Sequence, residues 1–414
     1  MTTPTISITV KKSKIAENGE YNLTGDRYRE TVNYTNTKWP MVELGEVFKI
    51  ESGGTPDSKN NKYWDGEIKW ATLVDIPENI AIISETKRTI TEEGLNKSSA
   101  KLLPKGTVLV SSRATIGRIA ITGCEMATNQ GFKNILIDEK NSSLFVAYML
   151  SKQVEKMNLL ASGGTFKEIS KSAISTIQIP LPPLEVQEQI VAEIEGYQKV
   201  IDGAKQVVEN WKPSFRIDPS WEMVELGEVC EIKRGFAFKS SDYIEKGILN
   251  FRVTNIGNDG KPDLSDAKYL PEDFENKYKD YLLKDDDFVI VMVGATTGKM
   301  GVITKDILPA LLNQNMWRFE PLDLQKINKK YLFYIIGTLE GIKQGGARDY
   351  LKQSDFIKIQ IPLPPLEVQE QIVAEIEAEQ RAIEECKKLI EKMEKKIEAK
   401  IGEVWGSEIG NEEF

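Results

Sequence analysis

The stretch IQIPLPPLEVQEQIVAEIE stands at Ile177–Glu195 and again, letter for letter, at Ile359–Glu377. The two copies lie 182 positions apart, and so do WPMVELGEV from Trp39 and WEMVELGEV from Trp221. Between these anchors come weaker echoes in the same order. ATIGR at Ala114–Arg118 answers ATTGK at Ala295–Lys299, Asn129-Gln130 answers Asn313-Gln314, and Gly163-Gly164 answers Gly345-Gly346. The chain is a tandem duplication with fixed ends and a drifted middle. Its period is far longer than the roughly 20–50 residues of a solenoid repeat, so each copy is expected to fold as a domain with an appendage.

The appendage is a helix. Beyond Pro182-Pro183, apolar residues recur at Ile190, Ile194, Tyr197, Ile201, Ala204, Val208 and Trp211, alternating spacings of four and three. The second copy gives Ile372, Ile376, Glu379, Ile383, Cys386, Ile390, Met393 and Ile397 in the same rhythm. That rhythm is a heptad seam. Pro213 stops the first helix, and the second can run to about Trp405. The first helix delivers the chain to the second domain and the second helix leaves it, so a pair between them is antiparallel. The expected rod from Leu184 to Lys212 is about 43 Å long, against roughly 34 Å for one turn of B-DNA.

These landmarks divide the 414 residues into a polar arm (1–38), a first domain (39–183), a helix and linker (184–220), a second domain (221–365) and a helix with an acidic tail (366–414). The net charge of −9 is uneven: the two domains carry +1 and −2, whereas the two helical segments carry −3 and −7. Near-neutral domains leave room for a basic face on each. The sequence has no histidine, which removes Cys/His zinc sites, Ser-His-Asp triads and histidine general bases together. Three scattered cysteines, Cys124, Cys230 and Cys386, fit a reducing cytoplasm better than a disulfide framework. The first residues show no apolar core with a cleavage site, and no run is long enough to span a bilayer.

Within the domains, short β-like runs (TVLVSS, GRIAITG, KNILID, FVIVMVG, MGVIT) mix with a few helical stretches such as LFVAYMLSKQVEKM, separated by close turn signals. The expectation is an α+β domain around an antiparallel, partly curled sheet.

The ordered set of WPMVELGEV, GGTP, YWDGEIKW, SSRATIGRIAI, TNQGFK and the doubled PLPPLEVQEQIVAEIE resembles the specificity subunits of Type I restriction–modification systems, across essentially residues 39–405. The resemblance implies two tandem target-recognition domains, related by a pseudo-two-fold axis and joined by two long antiparallel coiled-coil helices. Each domain would read half of an interrupted site in double-stranded DNA. The helices would set the spacer and dock two modification subunits that methylate adenine N6. It implies no catalysis and no cofactor in this chain. S-adenosylmethionine is expected on the modification subunits, and ATP with magnesium in the full complex that restriction subunits complete.

The identical segments then make sense as surfaces meeting the same partner, with Leu184, Gln187 and Glu188 matched by Leu366, Gln369 and Glu370. The same letters also serve as a helix start, with proline before it and Glu in the first turn. VGATTGKM invites a P-loop reading and fails it, because only three residues separate Gly294 from Gly298 and Met300 stands where Ser or Thr should hold magnesium. The shared A-T-x-G-[RK] reads better as a tight turn with a basic tip, offering Arg113, Thr115, Arg118, Thr296 and Lys299 to phosphates or base edges. Two further loops offer Lys59, Asn60 and Lys62, or Arg234 and Lys239; Lys133 follows the Asn-Gln pair, and Thr165, Lys167 and Arg348 follow the Gly-Gly pairs. Basic tips shared by both copies suit phosphate clamping, and their differing neighbours suit sequence choice. DPSW at Asp218–Trp221 looks like an adenine-methyltransferase tetrad, but no glycine-rich cofactor strand precedes it. A duplicated coiled-coil adaptor without sequence-selective DNA binding is the alternative reading of the whole chain.

Overall fold

The computed structural model describes residues 38–163, 167–257, 259–339 and 352–406. These form two compact units. One holds the chain up to Gln206 together with the stretch from Lys387 onward, and the other is Val207–Cys386.

In the first unit a five-stranded sheet runs Lys49–Ser52, Phe132–Leu136, Val108–Ser111, Ile119–Thr122, Ala81–Ile83 from edge to edge. A smaller sheet sets Trp64–Ala71 between Thr89–Ile90 and Ala127–Thr128. The second unit repeats the plan with four strands (Cys230–Arg234, Met316–Pro321, Phe288–Val291, Met300–Val302) and three (Tyr269–Leu270, Ile248–Phe251, Ala310–Leu312). The mixed α+β class is as expected. The sheets are less uniform than the turn signals suggest, because Ala81–Ile83 pairs parallel to Ile119–Thr122 and Leu249–Phe251 pairs parallel to Ala310–Leu312. A parallel neighbour needs a long crossover, and local turn chemistry carries no trace of it. The stretch LFVAYMLSKQVEKM is two helices, Ser143–Ser151 and Val154–Leu160, broken at Lys152.

The fixed ends of each copy are partners of one another. Met41–Glu43 pairs antiparallel with Gln178–Pro180, and Glu222–Glu225 pairs with Gln360–Leu363. The register is the same in both: Val42 faces Ile179 and Val224 faces Ile361. The amide of Leu44 then donates to Ile177 O, and that of Leu226 to Ile359 O, each at 2.9 Å. This clasp closes each domain on itself and starts the following helix at a fixed point.

The central helix spans Leu184–Asn210 and the C-terminal helix Leu366–Val404. Seam residues Ile190, Ile194, Ile201 and Ala204 are buried, as are Ile372, Ile376, Ile383 and Met393. Within the first unit the two helices run in opposite directions. Glu193 Oε2 meets Lys400 Nζ at 2.6 Å, Lys396 lies over the Tyr197 ring, and Lys205 Nζ meets Glu394 Oε1 at 3.5 Å. Lys400 holds the Glu193 carboxyl below the usual range. Ile401, Val404 and Trp405 finish the C-terminal helix inside the core that Ile190 and Ile194 also enter. In the second unit Trp211 and Phe215 pack against the core around Ile372 and Ile376. Glu379, the polar seam residue, accepts the Trp211 indole N–H at 3.0 Å.

Gln187 and Gln369 were expected to face a partner, and neither does. Gln187 is 1% exposed and Gln369 0%. The Gln187 carbonyl accepts from Ser142 N at 2.9 Å, while its amide donates to Pro182 O at 2.8 Å and Asn141 Oδ1 at 2.9 Å. Gln369 repeats this on Asn328 N (2.8 Å), Pro364 O (2.8 Å) and Lys326 O (2.9 Å). Ser142 and Asn328 are the N-caps of Ser143–Ser151 and Lys329–Thr338, so each glutamine latches one helix start to another. An apolar side chain here strands buried donors and acceptors. Gln187→Leu and Gln369→Leu should each cost about 1–3 kcal/mol in urea unfolding, against less than about 0.5 kcal/mol for exposed Glu188→Ala. Leucine variants as stable as the parent would mean that the two glutamines do not hold these helix starts together.

Candidate nucleic-acid interface

In the first unit the loops named from sequence converge on the turn that carries the Asn-Gln pair, and in the second unit the two of them within the described residues do so, through Phe236 N to Leu312 O and Met292 N to Asn315 O. In the first unit Asn129 is its scaffold: its N–H donates to Ala71 O at 3.0 Å and its Oδ1 accepts from Gly131 N at 2.8 Å. The GGTP loop packs against this turn through Gly54 N to Thr128 O at 2.9 Å. A Cβ on Gly53 would sit 1.9 Å from Asn129 O, and one on Gly235 would sit 2.0 Å from Asn313 O. Glycine at both positions is therefore a packing requirement of the same contact in both copies. Ser112 N reaches Gly131 O at 2.7 Å and Ile169 N reaches Ser112 O at 2.9 Å, which brings in the A-T-x-G-[RK] turn and the segment before it.

That turn has the expected form. It joins antiparallel strands Val108–Ser111 and Ile119–Thr122, with Ala114 and Gly117 at positive φ; Gly294 and Gly298 do the same between Phe288–Val291 and Met300–Val302. The shared basic residues nevertheless turn inward. Arg118 donates to Ile76 O at 3.3 Å and pairs with Glu78 at 3.5 Å, and Lys299 donates to Ile256 O at 2.5 Å. Each holds the residue that follows a 3₁₀ turn, Leu73–Asp75 or Val253–Asn255. Their recurrence thus has an internal explanation, and each is a tie within its own domain and not a phosphate clamp. Lys133 is also corrected: it is 5% exposed, with its ammonium 3.0 Å from Glu168 Oε1 and 3.4 Å from Ser112 Oγ. Buried Phe132 and Asn134 flank it in the strand Phe132–Leu136, where a lysine is kept by its ion pair.

Lys59, Lys62, Thr115 and Lys167 are exposed in the first unit, and Arg113 is half-buried beside Gly131. Asn60 caps the 3₁₀ turn Asn61–Tyr63, accepting from Lys62 N at 3.2 Å, and so positions the two lysines. In the second unit Arg234, Lys239 and Thr296 are exposed. Arg234 is steadied through Nε by Gln353 Oε1 at 2.9 Å, and Gln353 in turn donates to Ile232 O at 3.0 Å. Gln353 was not anticipated, since nothing in KQSDF marks it as neighbour to a loop more than a hundred positions earlier. Thr165 and Arg348 lie outside the described residues. Gln130 and Gln314 are exposed at the apex of their turns, and Thr55 Oγ1 hydrogen-bonds Gln130 Oε1.

Beneath the second cluster a buried pair joins Arg318 to Asp287 at 3.5 Å, with Lys329 on the same carboxylate at 2.7 Å. The tetrad lookalike is a local turn: Asp218 Oδ1 accepts from Ser220 N and Oγ at 2.8 and 2.7 Å, which holds its carboxyl below the ordinary range. Among the described residues no group of His, Cys, Asp and Glu is arranged to hold a metal, and no helix is long and apolar enough to cross a membrane.

On the helices the identical segments leave matching exposed residues. Glu185, Glu188, Gln189 and Ala192 correspond to Glu367, Glu370, Gln371 and Ala374, all exposed, with Leu184 and Leu366 partly covered beside them.

Comparisons with known proteins agree with this duplicated plan. The "Type I restriction enzyme MjaIX specificity subunit" of Methanocaldococcus jannaschii is 26% identical over 365 residues, covering 79% of this chain and 83% of that one. The MjaVIII specificity subunit of the same organism is 27% identical over 379 residues, covering 84% and 87%. A solved chain from a study of assembly and conformational transition in a type I R-M system superposes with a TM-score of 0.60 at 21% identity, over 89% of this chain and 98% of that one. The sequence profile of the Type I restriction modification DNA specificity domain matches twice, at residues 36–210 and 219–395, and the chain belongs to that family.

Proposed function

We propose that each unit reads one half of an interrupted sequence in double-stranded DNA through its loop cluster, while the two helices set the spacer and dock two modification subunits. The observation that carries this is the pair of clusters: the same internal scaffold, built on Gly53 or Gly235 and Asn129 or Asn313, presents different exposed side chains. Lys59, Asn60, Lys62, Arg113, Thr115 and Lys167 serve one half-site, and Arg234, Lys239 and Thr296 the other. Lys and Arg at loop tips supply phosphate contacts and guanine reading, and amides supply adenine reading.

The exposed stripe Glu185, Glu188, Gln189, Ala192 and its duplicate support the docking reading. Packing accounts for identity at Gln187 or Ile190, but it places no demand on exposed positions. Two copies of one partner do. In this reading the chain supplies the address and no catalytic group. S-adenosylmethionine acts on the modification subunits, ATP and magnesium act in the complete complex with restriction subunits, and the assembly works in the cytoplasm.

The test is a map of N6-methyladenine across the source genome with and without this gene. Loss of a single interrupted motif is the expected result, and it reports both half-sites at once. Identical maps with the modification genes expressed would overturn the reading in favour of an adaptor.

A further inference from the structure

Gln130 and Gln314 are at odds with their neighbourhoods. Each sits at the apex of its Asn-Gln turn, exposed, in a loop whose geometry is held by the preceding asparagine and by backbone hydrogen bonds. Asn313 N donates to Phe251 O at 3.1 Å and Met316 N to Asn313 O at 3.3 Å, just as Asn129 N donates to Ala71 O and Phe132 N to Asn129 O. Among the described residues the Gln314 side chain makes no hydrogen bond. Folding therefore places no demand on a glutamine at position 314, yet both copies keep one while the loops around it have drifted.

The settings of the two amides differ in the loop packed on the turn. Thr55 and Ala237 are equivalent by the 182-residue offset, and both are exposed in the loop packed on the turn. The Thr55 hydroxyl hydrogen-bonds the end of the Gln130 amide. The Ala237 methyl has no donor or acceptor to offer Gln314. A carboxamide carries one acceptor end and one donor end. Adenine presents N7 and N6–H₂ side by side in the major groove, and a glutamine with both ends available can pair with the two together.

We infer that Gln130 and Gln314 are a base-reading amide common to both units, and that Thr55 or Ala237 in the adjoining loop sets how freely that amide can orient on the DNA. This rests on the DNA-recognition reading above. Gln314 makes a two-ended contact to an adenine in its half-site. Gln130, with one lone pair of Oε1 taken by the Thr55 hydroxyl and its orientation tied to that loop, makes a weaker contact and discriminates less at its own position. A shared reader with a differing neighbour yields two specificities from one scaffold.

The test uses the full chain assembled with its modification subunits and a pool of duplexes randomised across the site, sequenced after selection at fixed salt. Gln314→Ala should lose an adenine preference of about 5- to 150-fold at one position and leave the salt dependence of binding unchanged, since no phosphate contact is removed. Thr55→Ala should raise adenine preference at one position of the other half-site, and Ala237→Thr should weaken it at the Gln314 position. All three positions are exposed, so thermal melts should match the parent. A parental motif that survives Gln314→Ala intact, or a uniform weakening at all positions, overturns this inference alone. A parental pool with no enriched motif overturns the recognition reading and this inference with it.

Discussion

Replacing Trp405 by alanine should lower the stability of the first unit by about 3–5 kcal/mol, the range for deleting a fully buried large aromatic. Trp405 is 1% exposed, and it shares a core with Ile190, Ile194, Ile401 and Val404. That core belongs to the unit whose other residues end at Gln206, so a change near the C-terminus should act on the domain nearest the N-terminus. Two units of this size need not unfold in one step. The expected record is therefore a urea titration in which one transition moves to lower denaturant and the other stays nearly in place. A variant with unchanged transitions would mean that the end of the C-terminal helix contributes little to that core.

Reversing charge on the exposed helical stripe should abolish assembly without unfolding the chain. Glu188 and Glu370 are exposed and occupy the same turn of the two identical segments. A partner complementary to this acidic stripe is basic, and a lysine placed against it costs on the order of several kcal/mol, a loss of about a hundredfold or more in affinity. Glu188→Lys alone should leave one modification subunit bound, Glu370→Lys alone should do the same, and the double variant should bind none. Light scattering of the purified complex reads this stoichiometry directly. Stability should shift by less than about 0.5 kcal/mol, as for other exposed positions. Two modification subunits retained by the double variant would place the docking surface elsewhere.

Much of the architecture was legible because the sequence repeats itself. A constant offset of 182 relates Trp39 to Trp221 and Ile177 to Ile359, and the strand clasps keep that offset residue by residue. The heptad seam was legible because its period is local, and it correctly turned Ile194 and Ile376 inward. The turn in A-T-x-G-[RK] was legible for the same reason. What failed depends on contacts distant in sequence. Gln187 reads as a polar surface residue, and only the approach of Ser142, 45 positions earlier, makes it a latch. Lys133 reads as a free cation until Glu168 arrives 35 positions later. Arg118 and Lys299 read as basic tips of a tight turn, until the carbonyl of Ile76 or Ile256 inside the same domain is seen to hold each of them. Recurrence becomes informative about partners once exposure is known, as with Glu188, Glu370, Gln130 and Gln314.

The discontinuity of the first unit has a consequence for synthesis. A ribosome finishes the second unit, Val207–Cys386, as one unbroken segment, but the first cannot complete its core until Lys387 onward has emerged. At the usual elongation rate of about 5–20 residues per second, Ile190 and Ile194 wait for Ile401 for roughly 10–40 seconds. The domain that begins first therefore closes last. Until then the helix face around Ile190 and Ile194 stays uncovered, an apolar surface of the kind chaperones shield.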